Sequence, residues 1–294
     1  MTLLRTCILA LLLAFGGAAD RIGAEEAVPR IISLSPHITE LLFAAGAGDR
    51  VVGVDDSSDY PAAVSGIAHL GEPAALDVEG LLKLRPTLVV LWDSGTPPRS
   101  KAELERLHLR IYVTEQRHLD DIGAALIEFG RLAGTEAKAE EAARSYRAEL
   151  AQLRERYAAR PRLKVFYQVW DKPLYTLAGG QVVNEVLSLC GGDNVFAGLT
   201  TLAPAIDKEA VLSRNPDVIL IAATGAEGMR QTLEWNQYPS LRAVQNRHVF
   251  TVDPSLIGRM APRILQGVRE VCGLLDRARG DMSSSGAVRS DFTH

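Results

Sequence analysis

The side chains in this 294-residue sequence that could do chemistry are few and dispersed. They are three cysteines (Cys7, Cys190, Cys272) and six histidines (His37, His69, His108, His118, His248, His294). There is no Gly-x-Ser-x-Gly elbow, no phosphate-cradling Gly-Lys-Ser/Thr loop and no Cys-x-x-Cys pair. Nucleophile–base catalysis, nucleotide chemistry and dithiol redox work therefore have no sequence basis, and an enzyme is not expected. A metal site needs several converging nitrogen or oxygen ligands. Only His37 with an acidic partner such as Asp253 can be named, and a solvated helix-entry residue is the simpler reading of His37. The informative residues are aromatic: Tyr60, Trp92, Trp170 and Tyr175 each follow or end an apolar run. Paired aromatic walls suit a large, flat, partly apolar ligand held by few polar groups.

Those residues must be positioned by a frame, and its pattern is α/β. Arg30–Leu34, Arg50–Val54 and Leu88–Trp92 read as strands, and the last is apolar throughout, as a sheet covered on both faces requires. Thr39 is expected to cap a helix that Gly46 ends, and Asp77 one that runs to Leu84 before Pro86. Alternating strands and helices imply parallel sheets, whose ligands bind beyond the carboxyl ends of the strands. Those ends carry His37, Tyr60, Trp92, Trp170, Tyr175 and Arg259.

The frame occurs twice. Glu79–Val90 aligns without gaps on Glu209–Leu220, and an Asp stands two residues before each Glu (Asp77, Asp207). Glu40-Leu-Leu with Gly46 and Asp49 echoes Glu185-Val-Leu with Gly191 and Asp193. A looser echo sets Arg50–Asp55 against Arg247–Asp253. The expected organisation is an N-terminal lobe over 30–134, a helix over 135–160 joining the lobes and a C-terminal lobe over 163–276. A tail without regular structure is expected over 277–294. The joining segment has no Gly or Pro from 135 to 159, and its apolar residues follow helical spacing (Ala139, Ala142, Ala143, Tyr146, Leu150, Leu153, Tyr157). It reads as a stiff rod, unlike a flexible linker.

Arg5 followed by an apolar run from Cys7 to Ala19 reads as an export signal, with 1–19 removed or, alternatively, retained as an anchor. Export leaves Cys190 and Cys272, and an oxidising compartment favours their pairing over two buried thiols. Net charge is −4, which argues against nucleic-acid binding. A monomer is the simplest reading.

Ser33-Leu-Ser-Pro36 with Thr39-Glu-Leu41, Ser58-Asp-Tyr-Pro61, Cys190-Gly-Gly with Asn194, and Arg259 with Pro262-Arg-Ile264 stand in an order and spacing that resembles a known family. It is the periplasmic binding proteins of cobalamin, haem and ferric-siderophore importers, with the cobalamin branch the nearest. The resemblance runs from about Arg30 to Asp276. It implies two similar α/β lobes with mainly parallel sheets joined by one long rigid α-helix. The implied role is capture of a cobalamin-like corrinoid in the periplasm and delivery to the membrane permease subunits of an ABC importer. No cofactor is implied, the corrinoid being cargo, and a haem or ferric siderophore is the alternative cargo. Carried over by position, Trp92, Tyr175 and Arg259 would contact ligand. Glu79 and Glu209 would dock on permease arginines, and Cys190 and Cys272 would pair. Pocket aromatics of the cobalamin branch fall on Ser57, Pro73, Ala203 and Leu256 here. Trp170, which has no aromatic counterpart in that branch, is expected to compensate, and Tyr60 and Ser57 are expected as further ligand contacts.

Overall fold

A computed structural model of the chain describes residues 28–290; the expected signal segment 1–19 and residues 291–294 lie outside them. The first lobe runs β1 (Ile31–Ser33), α1 (Pro36–Ala44), β2 (Val51–Val54), β3 (Ala68–His69), α2 (Val78–Lys83), β4 (Leu88–Trp92), α3 (Pro98–Arg106), β5 (Ile111–Thr114) and α4 (Leu119–Ala133). Its five strands form one parallel sheet in the order β3-β2-β1-β4-β5. Helix α5 (Glu136–Tyr157) leads to the second lobe: β6 (Leu163–Asp171), β7 (Leu174–Thr176), α6 (Val182–Leu189), β8 (Gly192–Asn194), α7 (Lys208–Arg214), β9 (Val218–Ala222), α8 (Gly225–Trp235), α9 (Arg242–Gln245), β10 (Val249–Val252), α10 (Pro254–Ile257) and α11 (Ile264–Ser290). Its sheet is β10-β9-β6-β7, with β8 also on β6, and only the β6–β7 pairing is antiparallel.

Apolar strands alternate between two cores. Ile31, Leu88, Val90, Val218 and Leu220 enter a central cluster, whereas Ile32, Val89, Leu91, Ile219 and Ile221 enter one outer cluster per lobe. That is the period-two partition of strands covered on both faces. The central cluster is continuous from β1 through α5 to α11, so the lobes share one core. Helix α5 contributes Ala139, Ala143, Tyr146, Leu150, Leu153 and Tyr157 to it, all buried. Its 22 residues span about 33 Å. Against α4 the approach is close enough that a Cβ on Gly130 would stand 2.2 Å from the Ala139 Cβ. The disulfide Cys190–Cys272 fastens the end of α6 to α11 across 82 positions.

Four expectations change. Ser35 occupies the N-cap of α1 and Pro36 its first position, while Thr39 lies buried inside the first turn. Its hydroxyl is 2.8 Å from Ser33 Oγ and 2.7 Å from Ser58 Oγ, so it serves a buried network and leaves the helix end uncapped by side chain. His37 is the second residue of α1 and is 7% exposed, not solvated. The Arg50–Asp55 echo is not structural. β2 follows α1 as β8 follows α6, whereas β10 is an edge strand standing where β5 stands in the first sheet. A four-residue apolar strand recurs too easily to establish equivalence. Lastly, α11 continues past residue 276 to Ser290. Ala278 is fully buried, and Arg279 donates to the carbonyls of Pro161 and Cys190 at 2.8 and 2.6 Å.

Candidate functional site

Between the lobes lies a cavity of about 370 Å³. Its first wall is built at the carboxyl ends of β4 and β5: Trp92, Ser94, Glu115, Gln116 and Arg117. The registered pairing Trp92↔Thr114 sets these two strand ends side by side. The second wall comes from the start of α6 (Gly180, Gln181, Val182), from Leu202 and from Gly258 and Met260 after α10. In the first sheet β1 and β4 are neighbours whose onward connections leave in opposite directions, the point at which open parallel sheets bind ligands.

Trp92 is half-buried and fixed from two sides. Its ring meets the imidazole of His37 edge-on, with centroids 5.2 Å apart and planes at 86°. The turn after β4 folds back over the indole at Gly95, where a Cβ would stand 1.9 Å from a ring carbon. His37 itself sits behind the indole with Nδ1 2.7 Å from Ser35 Oγ. Burial pushes its pKa down to about 4; Glu115 opposes that push and Arg259 adds to it. Nearby, Asp55 is 1% exposed and is bonded by Ser58 Oγ. Burial drives its pKa up to about 6, with Glu72 adding to the rise.

Two polar ties join the lobes. At the cleft side, Glu40 of α1 has a side chain only 2% exposed and receives a fork from Arg263 at 2.7 and 2.9 Å. Arg259 also reaches Glu40, at 3.2 Å, and pairs with Asp59. The Arg263 guanidinium lies 3.9 Å from the Tyr60 ring centroid. On the second tie, Glu185 of α6 accepts from the Leu119 N–H at 2.9 Å, closing the start of α4, and Arg154 bridges Glu185 to Asp120.

Of the residues singled out from sequence, Trp92 lines the cavity. Arg259 and Tyr60 belong to the cleft-side tie. Trp170 and Tyr175 face each other across the β6–β7 pair, with Trp170 61% exposed. They are not lining residues; Leu202 belongs to the segment hydrogen-bonded alongside β7. Ser57 is exposed and donates to Glu72 at 2.6 Å. Glu79 and Glu209 are exposed in the first turns of α2 and α7, each behind its capping Asp. Asp253 caps α10. Among the described residues no three His, Cys, Asp or Glu side chains gather as a metal site. The Glu115–Arg117 wall and the Glu40 tie were not read from sequence. A strand assigned to Ile111–Thr114 would have put Glu115 at a carboxyl end, but nothing local marks Glu40 as ion-paired.

Residues 31–256 match the profile of the family described as periplasmic binding protein. The chain belongs to that family. It is a binding component of the periplasm and not an enzyme. Two relatives called vitamin B12-binding protein, from Vibrio parahaemolyticus and Vibrio cholerae, are 34% and 35% identical to it over 250 residues. Each alignment covers 85% of this chain and 90% of the relative. The crystal structure of the Vibrio cholerae periplasmic vitamin B12 binding protein superposes with a TM-score of 0.79 at 35% identity, over 85% of this chain and 98% of that one. A periplasmic heme-binding protein from Roseiflexus superposes at 0.75 with 26% identity, over the same shares. These similarities cover the two-lobed α/β frame.

Proposed function

We propose that this protein captures a cobalamin-like corrinoid in the cleft between its lobes and delivers it to the permease subunits of an ABC importer. The observation that carries the reading is the cleft. One wall is an indole braced from behind, with the polar groups of Glu115, Gln116 and Arg117 beside it, and the other carries the apolar side chains of Val182, Leu202 and Met260. Relatives named for vitamin B12, a third identical over most of their length, support the corrinoid as cargo. The cavity is smaller than a whole corrinoid. Part of the ligand would rest at the mouth, where Leu202 is 62% exposed and Trp170 and Tyr175 stand on the neighbouring hairpin. Glu79 and Glu209, one on each lobe, supply the charges for docking on permease arginines.

Titration calorimetry of residues 20–294 with cyanocobalamin tests the reading. Saturable one-to-one binding at micromolar affinity or tighter is expected, and no heat at several temperatures refutes it. A haem reading is favoured by the Roseiflexus likeness, with Tyr60 or Tyr175 as the candidate iron ligand. It requires that hemin, and not cyanocobalamin, bind and shift its visible spectrum.

A further inference from the structure

Glu115 is the one carboxylate among the described residues that line the cleft, and apart from Arg117 the rest of the lining is apolar or neutral. Its Oε2 is held by the N–H and hydroxyl of Ser94, at 3.0 and 2.8 Å, which fixes the side chain against the wall beside Trp92. Among the described residues no donor reaches its Oε1; the nearest cation is the Arg117 Nε at 3.9 Å. The side chain is 21% exposed, so it lies recessed, whereas Arg117 is 69% exposed and stands at the mouth, where water screens it. The other charges around the site do not cancel Glu115. His37 is buried behind Trp92 and neutral near pH 7. Arg259 is divided between Glu40 and Asp59.

A recessed carboxylate with one oxygen that accepts no hydrogen bond, its ion pair to Arg117 long at 3.9 Å, is an acceptor for N–H donors and a barrier to ligand anions. We propose that Glu115 is a specificity-determining residue that selects ligands whose periphery carries carboxamides over those whose periphery carries carboxylates. An amide NH₂ at the cleft wall donates to Oε1. A carboxylate there meets a like charge, and so does one on a haem propionate. Arg117, at the mouth, works in the opposite sense. This inference rests on the corrinoid reading above and assigns the chemistry by which the cleft would tell a corrinoid bearing peripheral amides from an acidic macrocycle.

The test compares cyanocobalamin with its monocarboxylic derivatives, each having one peripheral amide hydrolysed to the acid, by calorimetry on the native protein, Glu115→Gln and Arg117→Gln. The native protein is expected to bind at least one acid more weakly than cyanocobalamin by a factor of about ten or more, the lower end of the scale for two like charges about 4 Å apart near a protein surface. Glu115→Gln should bring that ratio close to one, and Arg117→Gln should raise it. Binding of cyanocobalamin with no discrimination by the native protein overturns this inference alone. So does a ratio unchanged in Glu115→Gln, or one that falls in Arg117→Gln. Failure of the native protein to bind cyanocobalamin overturns the corrinoid reading and this inference with it.

Discussion

His37 and Asp55 lie in the same buried region under the cleft, and their ionisation should make opposite contributions to stability in acid. The His37 imidazole, ordinarily near 6.5, is held at about 4 by burial. Its contribution is whole above pH 6.5 and is lost as pH falls toward 4, because only the unfolded chain takes up the proton in that window. Asp55, ordinarily near 3.8, is pushed up to about 6. Its contribution is whole below pH 3.8 and is lost as pH rises toward 6, where the folded protein must hold a desolvated charge. At ~1.4 kcal/mol per tenfold change in proton affinity, each displacement is worth ~3 kcal/mol. Between pH 7 and pH 4 the two nearly cancel, and single variants should expose them separately. Take stability at pH 7 minus stability at pH 4, measured by urea unfolding. His37→Gln should lower this difference by ~3 kcal/mol relative to the native protein, and Asp55→Asn should raise it by a similar amount. Asn at position 55 keeps an oxygen to accept from Ser58, so the comparison isolates the charge. If both variants move the difference in the same direction, or neither by more than ~1 kcal/mol, burial is not what sets these two groups.

Trp92→Ala should weaken cyanocobalamin binding by ~1–3 kcal/mol, the worth of burying an aromatic side chain, with calorimetry as the readout. An unchanged affinity would make the indole part of the lobe packing. Glu40→Ala leaves Arg263 without its buried partner and should cost ~3–5 kcal/mol in urea unfolding; a loss under 1 kcal/mol would mean that the tie is solvated. Reversing Glu79 and Glu209 to Lys together should abolish uptake by cells carrying the importer while leaving ligand affinity intact. Lost binding in that double variant would assign them to the fold instead.

What was legible in the sequence follows from how each feature is encoded. Leu88–Trp92 and the strand at Val218 announce themselves because both faces of each sheet are covered, which forces an unbroken apolar run. Asp77 and Asp207 are readable because a cap acts within three residues, as the bonds to Gly80 and Ala210 show. Helix α5 is readable because its buried residues recur at intervals of three and four. The edge strand β5 is not readable: Val113 is 46% exposed and the alternation is spoiled, so Glu115 had no strand end to mark it. Glu40 is harder still, because its partners lie 219 and 223 positions away and a glutamate in a helix otherwise looks like a solvated face. The repeat exposes the limit of symmetry as a guide. It pairs Glu79 with Glu209 because both lobes reuse one helix–strand unit. The cleft, however, sets the strand ends of one lobe against a helix start and a loop of the other, so its two walls differ in chemistry. A site with unlike walls can hold a ligand with one apolar face and a polar rim in a single orientation, which two copies of one wall could not do.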